Sequence, residues 1–419
     1  MSLDLPAAEE WAARCAADGE FSLAARHWTG GLRIGVGDAR LGLTLTAGQV
    51  SGGVPPSEAG LLTLDAPTSL WEKLLAATPP RFFNDLGPAW GQGLKRGGDR
   101  VLHAQYFAAV MRALELLRPP GLQADPVRDE AAAPGTLDAP VGRYVHVNLD
   151  GHDHRIYFEE AGQGIPLLLQ HTAGCHGSQW RHLFEYPEIT DHFRLIAYDL
   201  PYHGKSLPPP TKDWWSEGYR LQGGFLRSVV LGLNAALQLD NPVFMGCSVG
   251  GLLALDLAAR HADVFRAVIS LEGALRIGGD MADYGELWHP QISNEYKARL
   301  MDGVMAPTSP APYRKETSFV YACGWPPVFL GDLHYYVTEY DLTEQAAGID
   351  TQQVGVHILS GEYDYSGTSE LGRAAHEAIA GSTWAEMSGM GHFPMSENPV
   401  RFMEYLRPVL TQIRAASVR

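Results

Sequence analysis

Asn241-Pro-Val-Phe-Met-Gly-Cys-Ser-Val-Gly-Gly-Leu-Leu-Ala-Leu-Asp-Leu-Ala258 is the stretch around which the chain is organised. Val243 to Met245 is a short apolar run of the kind that makes a buried strand. It ends in Gly246-Cys-Ser-Val-Gly250, and an apolar-periodic segment follows. Strand, sharp turn and helix together are the setting of a nucleophile elbow, in which Ser248 stands exposed at the top of a sheet. Small residues at 246, 250 and 251 let the helix pass close to the strand. The helix start directs free N–H groups at the same place. Read without its flanks, the same string is an ordinary tight turn with a capping serine.

Outward from the elbow the pattern repeats. Upstream, Pro166-Leu-Leu-Leu-Gln and Phe193-Arg-Leu-Ile-Ala-Tyr-Asp read as buried strands, and 220–238 as a helix. Downstream, Phe265–Glu272, Val354–Gly361 and Thr383–Met387 read as strands, with helices over Ser369–Ile379 and Phe402–Ile413. Tyr144–Leu149 and His154–Ala161 alternate across Asp150-Gly151, a hairpin signal. Short apolar strands alternating with helices indicate an α/β fold with a mostly parallel sheet covered on both faces. Ser248 then lies at the carboxyl ends of the strands, where such sheets bind ligands.

A serine hydroxyl needs a base, and the base needs an orienting partner. His392, in Ser388-Gly-Met-Gly-His-Phe-Pro, follows the last strand in a glycine-rich loop. Asp364, in Ser360-Gly-Glu-Tyr-Asp-Tyr, follows the strand before it. Glu362 and Glu272 are rival acids, each also readable as a turn carboxylate or a cap. An oxyanion requires two N–H donors. Val249, next to the serine, supplies one. Ala173 in His171-Thr-Ala-Gly supplies the other, with Thr172 as the alternative.

These residues carry a family resemblance. Residues 143–419 resemble the α/β-hydrolase superfamily, in its serine esterase-like branch. Gly246-Cys-Ser-Val-Gly-Gly resembles its elbow, and Asp199-Leu-Pro-Tyr-His-Gly-Lys-Ser its D-x-x-G-x-G-x-S loop. Ser360-Gly-Glu-Tyr-Asp and Gly391-His392 resemble its acid and base loops. The resemblance implies an α/β-hydrolase fold and a Ser248–His392–Asp364 triad. One departure is that the family's His-Gly oxyanion loop is His171-Thr172 here. A serine at the elbow, rather than an aspartate, sets the chain apart from epoxide hydrolases and haloalkane dehalogenases.

The domain plan follows. Residues 143–273 and 348–419 form the core. Residues 274–347 interrupt the alternation, carry ten aromatic side chains between 288 and 340, and read as a helical cap. Trp288, Trp325 and Tyr335, with His176 from the oxyanion loop, are candidate pocket residues. Residues 1–118 form a small α+β domain: a weak helix over 4–28, strands within 32–66, then helices over 69–77 and 102–117. Its pattern weakly resembles a sterol-carrier-protein-2-like domain, which would imply an apolar cavity or a dimerisation module; a structural appendage is the plainer reading. Residues 119–142, rich in Pro, Ala, Asp and Gly, read as a linker. A chain begun near Pro140 is therefore expected to fold alone.

Composition narrows the function. There are 32 Lys and Arg against 48 Asp and Glu, a net charge of -16. With no basic block, this disfavours nucleic acid, anionic membranes and phosphorylated or CoA-linked substrates. Four dispersed cysteines suggest neither a disulfide framework nor a zinc knuckle. Cys247 reads as packing. His152 and His154, flanking the hairpin, read as solvent-facing rather than metal-binding. No signal peptide or membrane span is evident, so a cytoplasmic location is expected. No cofactor motif accompanies a suitable strand. The reading is a serine hydrolase of a carboxylic ester or lactone of a bulky, largely apolar or aromatic small molecule. Carbon–carbon bond hydrolysis of a diketone, thioester hydrolysis and amide hydrolysis would use the same core. A non-catalytic apolar-ligand carrier is the alternative from outside enzymology.

Overall fold

The computed structural model describes residues 3–55, 59–128 and 132–416. The chain forms two compact units. One takes the chain up to Ala124 together with Glu286–Thr308; the other takes Asp125–Gly285 together with Ser309 onward.

The first unit contains strands β1 (Gly30–Val36), β2 (Ala39–Thr46), β3 (Gln49–Gly52), β4 (Leu61–Ala66) and β5 (Lys95–Gly97), in the order β3-β2-β1-β4-β5. Two-residue turns join β1 to β2 and β2 to β3. At the second of these Ala47 and Gly48 both have positive φ, which matches the twist of an antiparallel pair. The helix expected over 4–28 is two helices, Ala8–Ala17 and Gly19–Ala25. The break is at Asp18, whose carboxylate accepts the Phe21 N–H at 2.8 Å and so caps the second helix. The helix expected over 102–117 also divides, at Tyr106, whose ring stacks on Trp28 with centroids 5.0 Å apart.

The segment 286–308 corrects the continuous cap expected over 274–347. Its helix Asn294–Asp302 places Arg299 against Asp85 (3.0 Å) and Glu115 (2.8 Å). Asn84 donates to the carbonyls of Gly303 and Met305, and Tyr296 packs edge-on to Phe107. Periodicity could not reveal this, because the partners lie about two hundred residues away. It also changes the expectation for a chain begun near Pro140. Such a chain keeps Arg299 and loses Asp85 and Glu115. Asp302, at 3.3 Å, stays beside Arg299, but breaking a buried pair by removing one partner typically costs about 3–5 kcal/mol. The truncated chain is therefore expected to aggregate on expression, and a soluble product with a cooperative melt would overturn this.

The second unit holds β6 (Val141–Leu149), β7 (His152–Ala161), β8 (Ile165–Gln170), β9 (Phe193–Tyr198), β10 (Val243–Cys247), β11 (Ala267–Leu271), β12 (Gly355–Gly361) and β13 (Thr383–Met387). Their order is β13-β12-β11-β10-β8-β9-β7-β6. The run from β9 to β13 is parallel, and β7 and β6 add an antiparallel edge. Asp150 and Gly151 both have positive φ and make the two-residue turn between β6 and β7. This is an α/β-hydrolase fold. Every residue of β10 is buried. Val243, Met245 and Cys247 share a core with Leu169, Ile269 and Leu271 and with Phe402, Met403 and Leu406 of the helix Pro399–Ala415. Each such side chain contributes about 1.5–3 kcal/mol on burial. The strand that carries the elbow is thereby held from both neighbours.

The rest of the cap belongs to this unit. It comprises the helices Ala311–Ala322 and Pro326–Leu333, which runs on into a π-helical turn, His334–Glu339. The expected linker is partly docked: Asp125 accepts from Asn398 and Arg401, each at 2.7 Å. No helix among the described residues is long and apolar enough to cross a membrane.

Candidate active site

Ser248 connects β10 to the helix Val249–Arg260 with φ 60° and ψ -114°. A side chain in this region costs about 1–3 kcal/mol and persists only where its surroundings dictate it. Here they do. The Ser248 N–H donates to the Leu271 carbonyl, and the Ser248 carbonyl accepts from Leu252, both at 2.9 Å. Glycine is required on both sides of the turn. A Cβ at Gly246 would lie 2.3 Å from the Gly250 oxygen, and one at Gly251 would lie 2.1 Å from the Leu271 oxygen.

The loops after β12 and β13 meet beside this turn. His392 Nδ1 is 2.6 Å from Asp364 Oδ2. Asp364 is fully buried and also accepts the N–H groups of Ser366 (2.7 Å) and Gly367 (3.1 Å). Its oxygens are held by donors, so the carboxylate has a fixed place from which to orient the imidazole. The Cys247 thiol donates to the His392 carbonyl at 3.1 Å, tying the histidine loop to the elbow. Glu397 secures it from the other side by accepting the Gly391 N–H at 2.5 Å. Ser248 Oγ makes no hydrogen bond to His392 among the described residues. Such bonds commonly tighten only when a substrate is in place.

The rival acids have other partners. Glu362 accepts from the Ser388 hydroxyl and the Gly389 N–H, holding the turn before His392. Glu272, fully buried with φ 54°, receives the Gly361 N–H on both oxygens. Burial, and then the neighbouring Asp364, push its carboxyl well above the ordinary range. Two buried carboxyls side by side do not both ionise, and only Asp364 is bonded to the histidine.

The amides of Val249 and Ala173 have no acceptor among the described residues. The Thr172 amide is occupied, donating to Gln179 Oε1 at 3.0 Å. The Thr172 hydroxyl joins Gln179 and the Tyr321 hydroxyl. Gly174 has φ 63°, and a Cβ there would lie 2.7 Å from Phe329 of the cap. The fold thus requires glycine at this point of the loop.

The pocket residues chosen from sequence do not gather here. Trp288 is 52% exposed and belongs to the segment that packs with the first unit. Trp325 joins Tyr202, Trp214 and Tyr219 around a separate cavity of about 290 Å³. Tyr335 is buried against Tyr340 and Gly223. His176 bonds Ser178 and sits near Asp199. Instead Tyr336 is the cap residue beside Ser248. It is buried, 2.9 Å from Ser366 Oγ, and its hydroxyl interacts with Ser248. Aromatic density pointed to the cap. Which ring turns inward depends on the π-helical turn, which has no sequence signature. His154, expected in solvent, is buried over Phe225, and burial lowers its pKa. Its position opposite Val147 puts it on the face of the hairpin that is covered. No grouping of metal-ligating side chains occurs among the described residues.

Comparisons with known proteins agree with this architecture. A family model for the alpha/beta hydrolase fold matches residues 165–314. Over 149 residues the chain is 26% identical to a pimeloyl-[acyl-carrier protein] methyl ester esterase of Vibrio vulnificus, covering 35% of this chain and 51% of that one. The chain therefore spans about half the length of that relative. An uncharacterised protein of Mycobacterium tuberculosis is 26% identical over 318 residues, 67% of this chain and 82% of its own. Among solved structures, an esterase from Thermogutta terrifontis superposes with a TM-score of 0.56 at 19% identity, covering 65% of this chain and 99% of its own. An enol-lactonase from Burkholderia xenovorans LB400 gives 0.51 at 22% identity, covering 65% and 100%.

Proposed function

We propose that the chain is a serine hydrolase that cleaves a carboxylic ester or lactone through an acyl-enzyme. The observation that carries this is the buried His392–Asp364 pair, tied by Cys247 to a strained serine at the end of β10. In this reading Ser248 attacks the carbonyl carbon while His392 takes its proton. The Val249 and Ala173 amides stabilise the oxyanion. His392 then protonates the leaving oxygen, and water, activated by the same imidazole, releases the acid. Asp364 orients the ring and stabilises its cationic form. The names of the relatives, an esterase, a methyl ester esterase and an enol-lactonase, support attack at a carbonyl bonded to oxygen.

For the substrate we propose a bulky, largely apolar or aromatic acyl or leaving group. Tyr321, Phe329 and Phe393 form a run of rings whose centroids lie 5.4–5.8 Å apart, and Phe393 stands against His392. Such walls favour apolar substrates with few polar contacts. The test is a panel of aryl, long-chain and acetyl esters, lactones, thioesters and diketones, run beside fluorophosphonate labelling. The expected result is labelling of Ser248 and the highest kcat/KM on hydrophobic esters or lactones. Preference for short polar acetyl esters would overturn the substrate class. Absence of labelling with tight binding of an apolar ligand would favour a carrier.

A further inference from the structure

The amide of Ala173 is useful only if its peptide plane is held, and the holding groups are not in the triad. A peptide N–H points opposite to the carbonyl of the same plane. The Ala173 N–H is therefore aimed by whatever grips the Thr172 carbonyl. The shorter grip is that of His171, whose Nδ1 lies 2.8 Å from the Thr172 oxygen; the Cys175 N–H donates to the same oxygen at 3.4 Å. His171 Nε2 accepts the Leu200 N–H at 3.1 Å. One nitrogen faces an acceptor and the other a donor, so His171 is neutral and carries its proton on Nδ1. Burial, with His203 as the next cause, holds its pKa well below the ordinary value.

His203 is in the opposite condition. Its ring lies 4.9 Å from that of His171. Its Nδ1 is 3.0 Å from the Pro201 carbonyl, and its Nε2 is 2.8 Å from Asp332 Oδ2. Both partners are acceptors, so both nitrogens must donate and the ring is an imidazolium. Asp332 is fully buried and comes from the cap helix Pro326–Leu333. The same Oδ2 accepts the Gly174 N–H at 2.7 Å, and Oδ1 accepts the Tyr219 hydroxyl at 3.0 Å. The planes on both sides of Ala173 are thus fixed, one by His171 and the other by a carboxylate that the cap supplies.

We propose that the buried Asp332–His203 ion pair is a latch through which the cap sets the oxyanion loop, with Asp332, His203 and His171 acting as positioning residues. This rests on the serine-hydrolase reading for its catalytic consequence. The latch has a pH sign. Burial alone would lower the pKa of His203, but Asp332 overrides it and the net direction is upward. The other groups facing the ring are His171, neutral; Asp199, which accepts the Gly177 and Lys205 N–H groups; His176; and Tyr219. A raised folded-state value means that the contribution is complete below the unfolded value near 6.5 and is lost as pH rises through the folded one.

The test uses the full chain. Asp332→Asn keeps an oxygen for Gly174 but leaves His203 without its counter-charge. It is expected to lower kcat on the best ester about 10²-fold, the size of losing one oxyanion donor, with KM changed less than threefold. Asp332→Asn with His203→Gln removes both charges and keeps a donor facing an acceptor. It is expected to recover at least tenfold in kcat over the single variant and to lack the fall in kcat on the basic side that the latch gives the wild type. If the single variant does not fold, the double variant and the wild-type profile decide. Nitrogen-15 histidine NMR reads the latch without catalysis: the wild type should show a doubly protonated histidine above pH 6.5 that is missing from the double variant, while the signal of His182, held between Glu185 and Glu316, stays in both. Unchanged kcat in Asp332→Asn, a loss confined to KM, or no such histidine signal would overturn the latch. A wild type that shows the signal yet hydrolyses nothing in the panel would instead overturn the functional reading.

Discussion

Ser248→Ala is expected to abolish turnover while leaving the fold intact. The substitution removes one hydroxyl from a residue whose structural work is done by its backbone. The Leu271 and Leu252 hydrogen bonds use only main-chain atoms, and the strained φ of 60° is imposed by packing of the glycines around it. Without the nucleophile there is no acyl-enzyme. In serine proteases loss of the nucleophile costs about 10⁶-fold in kcat, leaving only what oriented binding provides. A comparable loss is expected here, together with loss of fluorophosphonate labelling and a melting temperature within a few degrees of the wild type. Retention of more than about a tenth of the activity would remove Ser248 from the mechanism, since no background from the oxyanion hole reaches that level.

Asp364→Asn is expected to cost about 10⁴-fold in turnover, the magnitude known for the equivalent change in a serine protease. The structure gives the reason for so large an effect. Asp364 is fully buried, and its 2.6 Å contact to Nδ1 is what selects the tautomer of His392. An amide there can present its NH₂ to the ring and hold the wrong tautomer. It also cannot stabilise the imidazolium as it forms. Glu272→Gln should be far milder, because Glu272 accepts the Gly361 N–H rather than a bond from His392, and an amide oxygen can accept the same N–H. Glu362→Gln should also be mild, since its contacts are to a turn. All three variants would be assayed at one pH near 7, with folding checked by thermal melt. A crippled Glu272→Gln beside a nearly normal Asp364→Asn would move the acid to the end of β11.

Local chemistry made much of this readable in one dimension. The apolar run before Gly246 and the glycines after Ser248 identify the turn, because only small residues allow a helix to pass so close to a strand. The position of Asp364 and His392, each just past a predicted strand, follows from the same alternation that yields the parallel sheet. The Asp150-Gly151 turn was legible for a similar reason: both positions take positive φ. Where the reading failed, the missing information was distant. The capping role of Asp18 split a helix that periodicity joined, and the covered face of β7 took His154 out of solvent.

The order of elements, the elbow and the residues available to it depend on backbone sterics and short-range hydrophobic period, and so are legible along the chain. Packing between distant segments sets which carboxylate reaches His392, that Tyr336 rather than Trp288, Trp325 or Tyr335 stands at Ser248, and that 286–308 folds with the first unit. It also decided the charge of His203 and the aim of the Ala173 amide. These depend on partners such as Asp332, 129 residues from His203, and on burial that strengthens electrostatic contacts. Neither is written in the period or composition of any local stretch.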